Sequence, residues 1–154
     1  MAIGTNDIID VFGTQDAITT TGGSTADAAF TSAGNWTNDD DAPYIAAVLT
    51  AQWATATSIA GKLINLYGRP LDIQSTNDAS APSATNTLVY LGSFMAPAST
   101  GSTNFYMPLV MGRATLPNMY TSQVWEFYIE NRTGQTISAN WSLHVTPISQ
   151  GPHP

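Results

Sequence analysis

The stretch that most restricts the fold runs from Val124 to Ile148, VWEFYIENRTGQTISANWSLHVTPI. In its first half Trp125, Phe127 and Ile129 share one parity against Glu126, Tyr128 and Glu130. In its second half Trp141, Leu143 and Val145 alternate with Ser142, His144 and Thr146. Alternation with period two puts one set on a buried sheet face and the other towards water. Between the halves lies the polar NRTGQT of residues 131–136, with Gly134 free to take a positive φ. The pattern predicts an antiparallel hairpin with a long loop. In it Trp125, Phe127, Trp141 and Leu143 pack together across the two strands as the densest part of the core. Pro147 offers no ladder donor, so the last strand is expected to end there or lie at an edge.

Composition points the same way. Only 10% of the 154 residues are charged, against roughly 25% in an ordinary soluble domain. Thr, Ser, Ala and Asn fill the gap, which favours strands and turns over exposed helices. The class expected is all-β. Tyr44–Trp53 and Lys62–Tyr67 read as strands of a second hairpin. Residues 71–86 read as an exposed loop, and Thr87–Phe94 and Asn104–Val110 as further strands. Roughly eight strands punctuated by turns suggest one antiparallel β-sandwich, jelly-roll-like, over residues 26–149. Residues 150–154 are read as a flexible tail.

Residues 1–25 read as an extended N-terminal arm. Ile3, Ile8, Ile9, Val11 and Phe12 are too many apolar groups for a solvating tail and too few for a core. Such a segment can add a strand to an exposed sheet edge of a partner. Removing residues 2–24 is expected to leave the body folded.

Several function classes are excluded or disfavoured. Eleven acidic against four basic residues give a formal charge of −7. Nucleic acid and anionic membranes both call for clustered Lys and Arg, so neither is an expected partner. No run approaches the ~20 apolar residues of a membrane span. Without cysteine there is neither a disulfide nor a thiolate metal site. The opening MAIGTNDIID lacks the basic and apolar regions of a signal peptide. The sequons at Asn35, Asn131 and Asn140 are therefore expected to be compositional accidents.

No catalytic, cofactor-binding or metal-binding residue is assigned. His144 is the one histidine placed to act as a base, and an exposed strand histidine is the plainer reading. Glu126 and Glu130 stand about 13 Å apart along a strand, too far for a glycosidase pair, and read as a solvated face. Asp39–Asp41 has acidic ligands for calcium but lacks the glycine and distant glutamate of a calcium loop. A solvated turn or helix cap is expected there. Of the four tryptophans, Trp53, Trp125 and Trp141 share inward parities, while Trp36 has no clear register and is kept as a possible surface platform for sugars.

A family resemblance adds to this reading. LTAQW at 49–53, INLY at 64–67 followed by Arg69 and Pro70, YLGSF at 90–94, FYIENRTGQT at 127–136 and WSL at 141–143 resemble the decoration, or cement, proteins that coat capsids of tailed bacteriophages. The likeness covers about residues 45 to 149. It implies a non-enzymatic virion structural protein with a jelly-roll-like body, frequently a homotrimer, seated on the major capsid protein at the capsid exterior after synthesis in the host cytoplasm. It supplies no active-site residues. On that reading Ile3, Ile8, Ile9, Val11 and Phe12 would contact the capsid or a neighbouring protomer. The rival class is a carbohydrate-binding or adhesion β-sandwich, and a small hydrolase is a third.

Overall fold

The computed structural model describes residues 8–53, 59–71, 79–86, 89–98, 103–117 and 122–152. Ten strands occur among them and no helix. They are β1 (Ile8–Phe12), β2 (Asp16–Gly22), β3 (Phe30–Thr37), β4 (Tyr44–Ala51) and β5 (Leu63–Pro70). The second half supplies β6 (Val89–Met95), β7 (Phe105–Pro108), β8 (Ala114–Thr115), β9 (Val124–Arg132) and β10 (Trp141–Pro152). One sheet has the order β1-β10-β4-β7, with β2 continuing β1 along β10 and β8 lying beside β4; the other has the order β3-β9-β5-β6. All strand pairings are antiparallel. The protein is an all-β sandwich, and its strand order is that of a jelly roll.

The winding has a simple description. Residues 124–152 form the middle of a three-stranded ribbon that is folded once to make both layers. On one side Tyr44 pairs with Ile148, Thr50 with Ser142, Leu63 with Arg132 and Pro70 with Trp125. On the other side Ile8 pairs with Pro152, Gly22 with Trp141, Phe30 with Glu130 and Thr37 with Val124. At the fold line Ile137 bridges to both Thr25 and Trp53. The corner is held by side chains as well. Asn131 Nδ2 donates to Thr25 O and Gln135 O, and Thr133 N donates back to Asn131 Oδ1. Gly134 and Asn140 take positive φ there, 77° and 68°, which favours Gly and Asn over other residues.

Two expectations are corrected by this arrangement. The terminal pair is not a hairpin: β9 and β10 lie in different sheets, and so do β4 and β5. Each pair turns the corner instead of folding back on itself. Inward parity is nonetheless kept, because both halves face the space between the layers. Trp125, Phe127, Trp141 and Leu143 are all buried in one cluster with Ile45, Leu49 and Trp53, so they meet from opposite layers.

Pro147 does not end the last strand, which continues to Pro152. The Pro147 carbonyl accepts from Gly13 N at 2.9 Å. The imide nitrogen therefore points to the same side, at the break between β1 and β2. No ladder acceptor is wasted there, which is why a proline fits inside this strand.

The described part of the N-terminal segment also differs from a detached arm. Residues 8–12 and 16–22 are edge strands on β10 of the same chain. Besides this ladder, two indole N–H groups of the body bond to β2 and the residue after it. Trp36 Nε1 donates to Asp16 Oδ2 at 2.8 Å, and Trp141 Nε1 donates to Gly23 O at 2.6 Å. Gln150 and Gly151, expected in the tail, belong to β10.

Candidate functional site

Three surfaces hold the residues singled out above. The first is the outer face of the β3-β9-β5-β6 layer, where the two glutamates of β9 stand. They are not a solvated face. Glu130 is only 6% exposed, and its Oε2 accepts from Asn65 Nδ2 at 2.8 Å and from Tyr67 Oη at 3.0 Å. Ser93 Oγ donates to Asn65 Oδ1 and lies 2.6 Å from Tyr90 Oη, extending the network to β6. Arg132 pairs with the other oxygen of Glu130.

Glu126 takes Ser32 Oγ at 2.7 Å and Arg69 Nε at 2.7 Å, and it forms an ion pair with Arg69 Nη2. Burial alone would raise its pKa; the bonds from Ser32, Arg69 and Tyr128 and the charge of Arg69 outweigh it and hold the carboxyl below its ordinary value. Burial pushes the Tyr67 and Tyr128 phenols up, helped by Glu130 and Glu126 respectively. Arg69 also lies 5.8 Å from the Tyr128 ring centroid. Period-two reasoning gave these side chains the right face but the wrong exposure. β9 is interior to its layer, so its outward residues are hemmed in by β3 and β5 on either side.

The second surface is β1 and its surroundings. Ile8 is 73% and Phe12 64% exposed, and Val11 is exposed as well, while Ile9 is half-buried. Ile3 lies outside the described residues. Asp10, between these apolar groups, pairs with Arg113 Nη1 at 2.6 Å and accepts from Gln150 Nε2. The Arg113 guanidinium stacks on Tyr44, 4.3 Å from the ring centroid. At the opposite edge of the same sheet, beside β7, a second apolar surface is open. Met95, Tyr106, Val110 and Met111 are all exposed there. Met95, Tyr106 and Val110 flank a hollow of about 480 Å³ lined also by Phe105 and Leu109.

The third surface is the outer face of β10, β4 and β7, where His144 stands half-buried opposite Val48. Among the described residues its side chain has no hydrogen-bond partner, and no carboxylate lines the groove around it. Compared with known proteins, the chain matches no family model, no curated protein and no solved structure.

The remaining candidates are structural. Trp36, kept as a possible platform, is only 7% exposed, and its ring lies 6.1 Å from that of Phe127. Its register was hidden by the bulge between Ser32 and Gly34. Asn38 closes the acidic turn by bonding Ala42 through both its amide atoms, and Asp41 Oδ1 accepts from Ser122 N. Among the described residues no three His, Cys, Asp or Glu side chains gather as a metal site. Tyr106 was not singled out by sequence, although its outward parity between Phe105 and Met107 was a readable signal.

Proposed function

We propose that this chain is a structural protein of a bacteriophage particle, decorating the capsid exterior by binding the major capsid protein. The observation that supports the reading is the set of exposed apolar side chains on β1. Ile8, Val11 and Phe12 are presented on an edge strand whose outer side has no partner strand among the described residues. A protein that works alone in water blunts such an edge, whereas one that docks uses it for strand addition and pocket filling. The family resemblance stated above names the surface it docks on.

A trimer is part of the proposal. β1 and β7 lie at opposite edges of one sheet, and each carries exposed apolar side chains. Two different patches on one molecule suit a head-to-tail contact, which closes into a ring when the rotation allows. A ring also multiplies attachment, because the second and third docking events become intramolecular.

Co-sedimentation with undecorated capsids tests the reading. Wild-type chain is expected to pellet with the shells, and Ile8→Glu with Phe12→Glu to stay in the supernatant with an unchanged melting temperature. A double variant that still decorates at wild-type affinity overturns the role given to β1. A wild-type chain that binds no shell overturns the function.

A further inference from the structure

The groove around His144 is chemically unlike the rest of the surface. Its volume is about 540 Å³, within the usual range of small-ligand sites. Strand register sets its floor. Ser142 of β10 pairs with Thr50 of β4, and Thr50 pairs with Tyr106 of β7. Neighbouring strands are about 4.8 Å apart, so this row of two hydroxyls and a phenol spans roughly 10 Å. His144 lies next along β10, and Asn104 and Asn140 line the groove as well.

Two properties of this lining decide what it can take. No Asp, Glu, Lys or Arg is present, so neither a divalent cation nor a phosphate finds a counter-charge. Nor do the side chains of Thr50, Asn104, Asn140, Ser142 and His144 bond to one another or to other described residues. Their donors and acceptors are free among the described residues, whereas on the opposite layer Glu130 is bonded by Asn65 and Tyr67 and Glu126 by Ser32 and Arg69. Over this row Tyr106 stands 77% exposed. A tyrosine left that open presents a flat apolar face with a polar tip.

An exposed aromatic face beside a row of hydroxyl, amide and imidazole groups, with no carboxylate, ammonium or guanidinium among them, is complementary to a neutral sugar. The pyranose C–H face stacks on the ring, and its hydroxyls exchange bonds with groups that both donate and accept. We propose that this groove binds a neutral oligosaccharide, with Tyr106 as the stacking platform and Thr50, Ser142 and His144 as the polar row. The length of the row accommodates two sugar rings. The site lies on a sheet face, away from the open edge of β1 assigned to capsid docking, and it meets the apolar hollow beside β7 at Tyr106.

The test is an NMR titration of the full chain with maltotriose, cellotriose, triacetylchitotriose and lacto-N-tetraose, with sialyllactose as a charged comparison. At least one neutral probe is expected to give saturable shifts at Tyr106, Ser142 and His144. Tyr106→Ala should weaken that binding roughly tenfold without lowering the melting temperature, and Thr50→Val should weaken it too. Tyr90→Ala, an exposed tyrosine on the other layer, should not. If no neutral probe saturates, or if binding survives both groove substitutions, the proposal fails. Capsid co-sedimentation of Thr50→Val, a groove substitution outside both apolar patches, reads the docking function independently and is expected to be unchanged.

Discussion

Gly22 lies flat against the indole of Trp141: a side-chain carbon added at Gly22 would overlap Cε2 and Cδ2 of that ring. The same ring donates its N–H to Gly23 O. A strand pairing between β2 and β10 is thus also a lid on the largest core residue of β10. Gly22→Ala should destabilise by about 1–3 kcal/mol, the usual cost of overpacking, and Trp141→Ala by about 3–5 kcal/mol. In the Trp141→Ala background the glycine substitution should cost little, because the clash is gone. Urea unfolding of the two single variants and the double variant reads this coupling directly.

The buried tryptophans of β9 and β10 differ in one bond. Trp125 Nε1 is buried with no partner among the described residues, whereas Trp141 Nε1 is bonded. Replacing Trp125 by Phe removes an unsatisfied donor along with some volume. Replacing Trp141 by Phe removes volume and a made bond. Trp125→Phe is therefore expected to cost about 1–2 kcal/mol less than Trp141→Phe in chemical denaturation. Equal losses would mean that the Trp125 N–H is satisfied in solution.

The Glu126 carboxyl, held below its ordinary value of 4.5, sets an acid limit. A folded-state pKa below the unfolded one contributes stability that is present above pH 4.5 and lost as pH falls through the folded value. Glu126→Gln should lower stability at neutral pH and flatten the acid arm of the stability profile. Tyr67 works with the opposite sign: its raised phenol contributes stability below its ordinary value of 10.0 that disappears as pH rises through the folded value. Tyr67→Phe should flatten the alkaline arm. Denaturant midpoints measured across pH check both arms.

Truncation separates docking from folding. Removing residues 2–13 takes away β1 but leaves Gly22 and Gly23 on Trp141 and Asp16 on Trp36. That variant should stay folded and lose capsid binding. Removing residues 2–24 also strips the edge of β10 from Val145 to Trp141, so it should melt well below wild type, against the sequence expectation of a folded body. Thermal melts and co-sedimentation of both variants distinguish the outcomes.

Phe12 and Glu130 show how far local pattern reaches into the candidate surfaces. An apolar cluster at Ile8–Phe12 inside a polar terminus is visible in the letters, and the structure leaves Ile8, Val11 and Phe12 exposed. Glu130 has an outward parity that reads as wet, yet it is covered by neighbours whose closeness depends on β9 being interior to its sheet. Tyr106 and His144 come together through β4, which lies between their strands, and no spacing along the chain encodes that meeting.

What the sequence by itself determined is which side chains face inward. Trp125, Phe127, Trp141 and Leu143 are buried as their parity requires, because alternation is a property of a single strand and needs no knowledge of its partner. The partner is another matter. β9 followed by β10, and β4 followed by β5, satisfy the same parity as hairpins or as strands that cross between layers, since either arrangement puts the apolar set inside. Only the tertiary structure decided between them. The choice rests on long-range contacts, the bridges of Ile137 to Thr25 and Trp53 at the corner, and these join residues far apart in the chain.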